Sequence, residues 1–232
     1  MIRHNCQQGT LAWLQARVGI PTASEFNQLL TPELKVRTGQ MPVSYLAKKV
    51  AEAWFGAPLP DINSFDMEQG SILEEEAIPF YELQYNQTVD RVGFITTDDG
   101  RIGCSPDGLL HGDGGIEIKC PRLQTHIGYL LDGELPKDYA AQVHGSMFVT
   151  GAPWWKFLSY RRQLPPLLLT VERDETIQYR IEQALAKFLS DFDEAMARLA
   201  EINGGPPPKR TKPDAPPTEP QRGPFDDDDV MP

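Results

Sequence analysis

Segments with helical spacing alternate with short strand-like segments along residues 1–202. This alternation predicts an α/β domain of the α+β kind, with a mixed central sheet flanked by helices. The length of 232 residues suits one sizeable core, and 40% hydrophobic with 24% charged residues is ordinary for a globular protein. No apolar run approaches the roughly 18 residues of a membrane span, and the N-terminus lacks a signal-peptide stretch. We therefore expect a cytoplasmic protein.

Helices are predicted where apolar residues recur at three- and four-residue intervals. A short helix is expected at residues 26–30, with Thr22 or Ser24 as its N-cap. Longer helices are expected at residues 42–55, 65–85, 137–149 and 175–202. Asp174 is the candidate cap of the last helix, and Gly204 with Gly205 ends it.

Strands are predicted where apolar and β-branched residues form short runs between turn residues. These runs cover residues 89–96, 101–104, 107–110, 116–120, 154–160 and 167–171. The sequence HGDGG at residues 111–115 predicts a turn that folds the fourth of these strands back beside the third.

The last thirty residues differ in composition from the rest of the chain. Residues 203–232 contain nine of the 21 prolines and almost no apolar side chains before Phe225. Such a segment cannot build a core, so we predict one folded domain at residues 1–202 and a flexible, Pro-rich acidic tail at residues 203–232.

Charge and cysteine content exclude some classes of site. The net charge of −11 argues against tight, non-specific duplex DNA binding by a lone subunit, although local patches can still bind phosphate. Cys6, Cys104 and Cys120 are odd in number and lack CxxC spacing. This argues against a disulfide framework, a cysteine zinc site and a four-thiolate iron–sulfur cluster.

The segment CSPDGLLHGDGGIEIKCP, residues 104–121, carries the chemistry. In a strand, Glu117 and Lys119 share one face, and the Gly-rich turn brings Asp107 beside them. Two close carboxylates need a cation, and oxygen ligands favour Mg²⁺ or Mn²⁺, with the backbone carbonyl of Ile118 as a further ligand. Lys119 can deprotonate or orient a water beside that metal. An ExK triplet alone is more often a solvated strand face; the preceding Asp107 and the Gly-rich turn favour a phosphodiester hydrolase, and the solvated face stays the alternative.

The sequence resembles the lambda exonuclease (YqaJ-type viral recombinase) family of PD-(D/E)xK nucleases along most of its body. WLQARVGIPTAS at residues 13–24 is similar to the family's N-terminal signature, and QGSILE at 69–74 to its GxxxE helix. CSPDG at 104–108, GIEIKCP at 115–121 and YAAQVHGSMFVT at 139–150 follow in the family's order.

The resemblance implies a restriction-endonuclease-like fold and a function. That function is Mg²⁺-dependent 5′→3′ digestion of one strand of linear duplex DNA to mononucleotides, leaving a 3′ overhang for single-strand-annealing recombination. It implies two metal ions, with Mn²⁺ as a substitute, held by Glu74, Asp107 and Glu117, and a catalytic role for Lys119. A bacterial, phage or prophage origin follows from the same resemblance.

Further roles also come from the resemblance. Arg17, Ser24, Ser105 and Gln142 fall where the family binds the 5′-phosphate, and Gln142 also counts among the catalytic residues. Met67 aligns with an apolar wedge that splits the duplex end, although an ordinary core methionine is nearly as good an interpretation. Lys35 and Arg37 are candidates for touching the duplex, with a plain surface loop as the equal alternative.

The family forms a ring-shaped homotrimer that threads DNA, and we expect self-association of the same kind here. The tail tip, residues 225–232, resembles the acidic C-terminal tip of bacterial single-stranded-DNA-binding proteins. It is therefore a candidate docking segment for the family's strand-annealing protein, against the alternative of a disordered, solubilising tail.

Two other functions remain open at this point. One is another PD-(D/E)xK nuclease, either structure-specific or Cas4-like; the missing fourth cysteine disfavours the iron–sulfur versions. The other is an inert acidic DNA mimic or scaffold, which the intact set of Asp107, Glu117 and Lys119 disfavours.

Overall fold

The computed structural model describes residues 1–59 and 65–206, without the side chains of residues 65–72 and 74. Eight strands, six α-helices and one 3₁₀ helix are present in these ranges. In chain order they are β1 (Ile2–His4), α1 (Leu11–Ala16), the 3₁₀ helix (Ala23–Gln28), α2 (Gln40–Phe55), α3 (Phe65–Tyr85), β2 (Val89–Asp90), β3 (Phe94–Thr96), β4 (Gly103–Cys104), β5 (Gly108–Leu110), β6 (Gly114–Lys119), α4 (Leu123–Asp132), α5 (Lys137–Thr150), β7 (Trp154–Ser159), β8 (Leu167–Glu172) and α6 (Glu175–Asn203).

The central sheet has five strands in the order β2-β5-β6-β7-β8. β6 and β7 are parallel, with Glu117 opposite Phe157, and the other pairs are antiparallel. The parallel pair requires a crossover, which α4 and α5 supply. The mixed sheet predicted from the sequence is therefore confirmed.

A second sheet, β1-β3-β4, was not predicted as separate. The expected strand at residues 89–96 is broken between β2 and β3, so its two halves join different sheets. At the break, a side chain on Gly93 would begin 1.6 Å from the carbonyl oxygen of Cys6. The close approach of the N-terminal segment thus interrupts the pairing, and only glycine fits there.

Helices cover both faces of the central sheet. On one face, α5, α6 and the 3₁₀ helix form a core with Trp155 and Phe157. On the other face, α3 packs on Ile116, Ile118 and Leu158. β6 is thus buried on both faces, which fixes the direction of each of its side chains.

Apart from the broken strand at residues 89–96, the predicted helices and strands are present within a few residues, the short first one as a 3₁₀ helix. Asp174 caps α6 through the amides of Thr176 and Ile177. β1, α1 and α4 were not predicted. α4 has apolar residues at helical spacing, but it exposes Leu123, Ile127 and Leu131 and is attached through the buried His126. Within the described ranges, no helix has the length and apolar character needed to cross a membrane. The tail after residue 206 lies outside those ranges and stays a prediction.

A partly buried ion cluster ties the 3₁₀ helix to α2. The ammonium of Lys49, which is 4% exposed, lies 2.9 Å from Glu25 Oε2 and 3.1 Å from Glu52 Oε2. Lys48 Nζ lies 2.9 Å from the other oxygen of Glu25. Glu52 also accepts the amide of Gly19 at 3.1 Å, so the cluster holds the turn that follows α1.

The charges of this cluster control the pKa of Glu25. Burial alone would raise that pKa, but the charges and hydrogen bonds of Lys49 and Lys48 outweigh it and lower the pKa from 4.5 to about 2. A lowered pKa adds stability that is complete above the unfolded value of 4.5 and disappears as the pH falls through about 2.

We predict that Glu25→Gln costs about 2 kcal/mol of unfolding free energy near neutral pH, because charged hydrogen bonds to two lysines are lost. The penalty should shrink as the pH falls from about 4.5 towards 2, because the unfolded wild-type chain then binds a proton at Glu25 that the folded protein does not yet bind. Urea unfolding of both proteins across this pH range measures the difference. Glu182→Gln, on the exposed side of α6, is the matched control and should change little. A penalty that stays constant with pH would contradict the assigned charge interactions.

Candidate active site

The β5–β6 hairpin brings the three residues of the predicted centre together. Gly108 pairs with Ile116, so Asp107 lies just before β5 and opposite the C-terminal half of β6. Alternation along β6 puts Glu117 and Lys119 on the face covered by α5, while Ile116 and Ile118 point into the core under α3. The convergence expected from the sequence is therefore present.

Hydrogen bonds fix these side chains. Lys119 Nζ lies 2.6 Å from Glu117 Oε1, and Gln142 Nε2 on α5 donates to the same oxygen at 2.6 Å. Asp107 Oδ2 accepts the backbone amide of Ile118 at 2.6 Å. β5 begins only at Gly108 and does not reach Ile118. The Asp107 side chain thus makes the hydrogen bond to β6 that a longer β5 would have made.

The donor set suits a divalent cation. Glu117 is 2% exposed, and burial raises the pKa of Asp107 although the charge of Lys119 and the Ile118 amide act in the opposite direction. A cation between the two carboxylates would relieve this cost. The carbonyl of Ile118 faces the same sheet edge as its amide, which adds a neutral oxygen ligand beside Asp107. Carboxylate and carbonyl oxygens are the ligands of Mg²⁺ and Mn²⁺.

The third predicted carboxylate, Glu74, lies in α3, but its side chain is outside the described residues. Among the side chains that are described, no three histidines, cysteines or acidic residues gather around a common point. In the described part of the chain, Asp107, Glu117 and the Ile118 carbonyl are therefore the groups that could hold a metal.

Arg17 forms a second polar cluster beside this centre. Its guanidinium donates to Ser105 Oγ at 3.1 Å, to Ser24 Oγ at 3.3 Å and to Thr22 Oγ1 at 3.1 Å. It also stacks on Trp13, with Cζ 4.2 Å from the ring centroid. Burial lowers the pKa of Arg17, and the negative charges of Glu25 and Glu52 offset this only in part. A planar cation surrounded by hydroxyl groups is suited to binding a phosphate.

One cavity of about 460 Å³ joins the two clusters. Its lining contains the sequence-predicted residues Arg17, Ser24, Ser105, Asp107, Glu117, Lys119 and Gln142. Ser105 of the Arg17 cluster and Asp107 of the carboxylate centre are separated by one residue, which keeps the two clusters next to each other.

The other predicted residues are not brought to this cavity. Lys35 is exposed and does not line it. Arg37 lines a different groove, and its Nε donates to the carbonyls of Asn27 and Leu30. Met67 lies in α3, where its side chain is outside the described residues.

Several residues of the site were not singled out from the sequence. Trp13 Nε1 donates to Ser105 Oγ at 2.9 Å, and the Trp13 ring stacks against the Arg17 guanidinium. The ring of Tyr139 lies 5.3 Å from Lys119 Nζ. Both residues belong to family motifs quoted above, and this was the sequence signal that could have pointed to them. The contacts themselves depend on tertiary structure.

The comparisons with known proteins agree with this architecture. Residues 12–153 match the family described as the YqaJ-like viral recombinase domain. No curated protein sequence gives a significant match.

Two solved structures of an alkaline exonuclease and one of a phage-related exonuclease are similar to this chain. The alkaline exonuclease LHK-Exo from Laribacter hongkongensis is 29% identical, with a TM-score of 0.75, over 84% of this chain and 98% of that chain. LHK-Exo in complex with dAMP is 30% identical, with a TM-score of 0.76 and the same coverage. A phage-related exonuclease from Haemophilus somnus 129PT shares the fold at 13% identity, with a TM-score of 0.60, over 78% of this chain and 96% of that chain.

These similarities confirm the expected restriction-endonuclease-like α/β fold, in which two sheets are flanked by helices. The matched region contains the Arg17 cluster, the Asp107–Glu117–Lys119 centre and Gln142. The chain belongs to the YqaJ-like viral recombinase domain family.

Proposed function

We propose that this protein is a Mg²⁺-dependent 5′→3′ exonuclease that digests one strand of linear duplex DNA to mononucleotides and leaves a 3′ single-stranded overhang. The observation that carries the proposal is the single cavity shared by a phosphate-type arginine cluster and a carboxylate–lysine centre. Family membership and the similarity to alkaline exonucleases support the same reaction class.

In this proposal Asp107, Glu117, the Ile118 carbonyl and Glu74 hold two Mg²⁺ ions, or Mn²⁺ as a substitute. These ions supply positive charge that lowers the pKa of a water and polarises the scissile phosphate. Lys119 orients that water or, as the neutral amine, takes its proton, and Gln142 keeps Glu117 in place through its hydrogen bond. The water oxygen bonds to phosphorus, the bond to the 3′ oxygen breaks, and the released 3′ oxygen takes a proton from solvent.

The proposed polarity comes from the Arg17 cluster. Arg17, Ser24, Ser105 and Gln142 bind the 5′-phosphate of the strand being digested. Only Pro106 separates Ser105 from Asp107, so their Cα atoms are at most about 7 Å apart. The terminal phosphate and the next linkage of the same strand are thereby held at once, so one nucleotide is released in each cycle.

The net charge of −11 is compatible with this function if the enzyme encloses its substrate. We propose a ring-shaped homotrimer in which the closed ring, rather than tight local binding, retains the DNA. Met67 is assigned to splitting the duplex end, and Lys35 and Arg37 to contacts with the duplex. A cytoplasmic site of action, in a bacterium or its phage, follows from the same proposal.

The first test is nucleotide release from linear duplex DNA carrying a 5′-phosphate, with and without Mg²⁺. We predict release only with Mg²⁺, and faster release with a 5′-phosphate than with a 5′-hydroxyl. Lys119→Ala should reduce the rate by at least about a hundredfold, the scale of a lost general base, while the fold stays intact by circular dichroism.

Lys156→Ala is the matched control, because Lys156 lies on the adjacent strand β7 and its ammonium contacts Thr170 and Trp154. It should keep wild-type activity. An active Lys119→Ala would refute the role of this lysine. Cleavage of circular DNA would favour another PD-(D/E)xK nuclease, and no cleavage under any condition would favour an inert scaffold.

The acidic tail, residues 203–232, has a separate proposed role. Phe225 followed by Asp226–Asp229 suits a basic, partly apolar pocket on a single-strand-annealing protein. Truncation after Gly205 should abolish co-purification of that partner and leave nucleotide release unchanged. Unchanged partner binding by the truncated protein would leave the tail with no docking role.

A further inference from the structure

A second cavity, of about 390 Å³, lies on the opposite face of the central sheet from the first. Ile78 and Ile118, which belong to the core under α3, form its floor. Its polar lining consists of Asn5, Gln7, Gln8, Glu75, Arg91 and Asp107. Nothing in the proposed function so far uses this space.

The two cavities meet at Asp107 and Gln8, which line both of them. β5 begins only at Gly108, so no strand pairs with Ile118 on the β5 side of β6, and the Asp107 carboxylate occupies that gap. Gln8 fixes the border, because its Nε2 donates to the carbonyls of Val92 at 3.0 Å and Pro106 at 2.8 Å. The two cavities therefore adjoin beside Asp107.

Hydrolysis of a linkage within a strand requires space on both sides of the scissile phosphorus. The first cavity accounts for the terminal nucleotide through the Arg17 cluster. The rest of the strand carries the new 5′-phosphate after cleavage and must lie on the other side of Asp107. The second cavity is in that position.

The charge of the second cavity indicates which side chain binds the strand. Arg91 is exposed and is the only lysine or arginine among the described residues of the lining. It makes no hydrogen bond or ion pair with the residues that the structure describes. Its backbone follows β2, which pairs with β5, so it lies next to the hairpin that carries Asp107. Because Glu75 and Asp107 repel phosphate, a strand in this cavity needs the guanidinium as counter-charge.

We propose that the second cavity binds the substrate strand on the 3′ side of the scissile bond, with Arg91 contacting a backbone phosphate. The proposal rests on the exonuclease function proposed above. The strand would advance by one nucleotide from this cavity into the Arg17 cavity after each cleavage.

The test combines DNA in which one phosphate is replaced by a neutral methylphosphonate with a protein in which Arg91 is replaced by a neutral side chain. Single-turnover release of the first nucleotide is measured on 5′-phosphorylated duplexes carrying one methylphosphonate at the second, third or fourth linkage. In the wild type, one of these substitutions should slow release about tenfold, the scale of one charged hydrogen bond. Arg91→Gln should be slowed about as much on unmodified DNA and show no further slowing at that linkage.

Arg198→Gln, an exposed arginine on α6, is the matched control and should retain the full methylphosphonate effect. Arg91→Gln should also keep the wild-type preference for a 5′-phosphate and an unchanged melting temperature. Two results would overturn the proposal: no methylphosphonate effect in the wild type, or an undiminished effect in Arg91→Gln. If the wild type releases no nucleotide at all, the exonuclease function itself fails, which is a distinct outcome.

Discussion

The site depends on how a nearly inaccessible carboxylate, Glu117, is held in the interior. Removing a carboxylate from water costs several kcal/mol unless charge and hydrogen bonds replace the lost hydration. Here one oxygen of Glu117 receives both the Lys119 ammonium and the Gln142 amide. Lys119 comes from the same strand and Gln142 from α5, so the bonding of this carboxylate fixes the distance between sheet and helix.

The same constraint explains why β6 is the strand on which the site is built. Ile116 and Ile118 pack under α3, and Gly115 lets the ring of Trp155 lie against the strand, since a side chain there would meet that ring at 2.2 Å. With both faces packed, Glu117 and Lys119 cannot rotate away from the Asp107 side. Around this rigid strand, the ion cluster of Glu25, Lys49 and Glu52 holds the more loosely built segment that carries Arg17.

Residues on a single hairpin were predictable from the sequence, and contacts between distant segments were not. Period-two alternation and the Gly-rich turn were enough to predict that Asp107, Glu117 and Lys119 converge. The bonds from Arg17 to Ser105 and from Gln142 to Glu117 cross long sequence separations, and only the family resemblance indicated these residues. The break between β2 and β3 escaped prediction because it results from the approach of Cys6 to Gly93, which no local pattern encodes.

The central claim is that Asp107 and Glu117 share a divalent ion, and a crystal soaked in Mn²⁺ and measured for anomalous scattering tests it most directly. We expect an anomalous peak within about 2.0–2.2 Å of oxygens from both carboxylates, with the Ile118 carbonyl as a further ligand. A soaked crystal in which the two carboxylates turn away from each other, with no anomalous peak between them, would contradict the claim, whatever the similarity to known exonucleases.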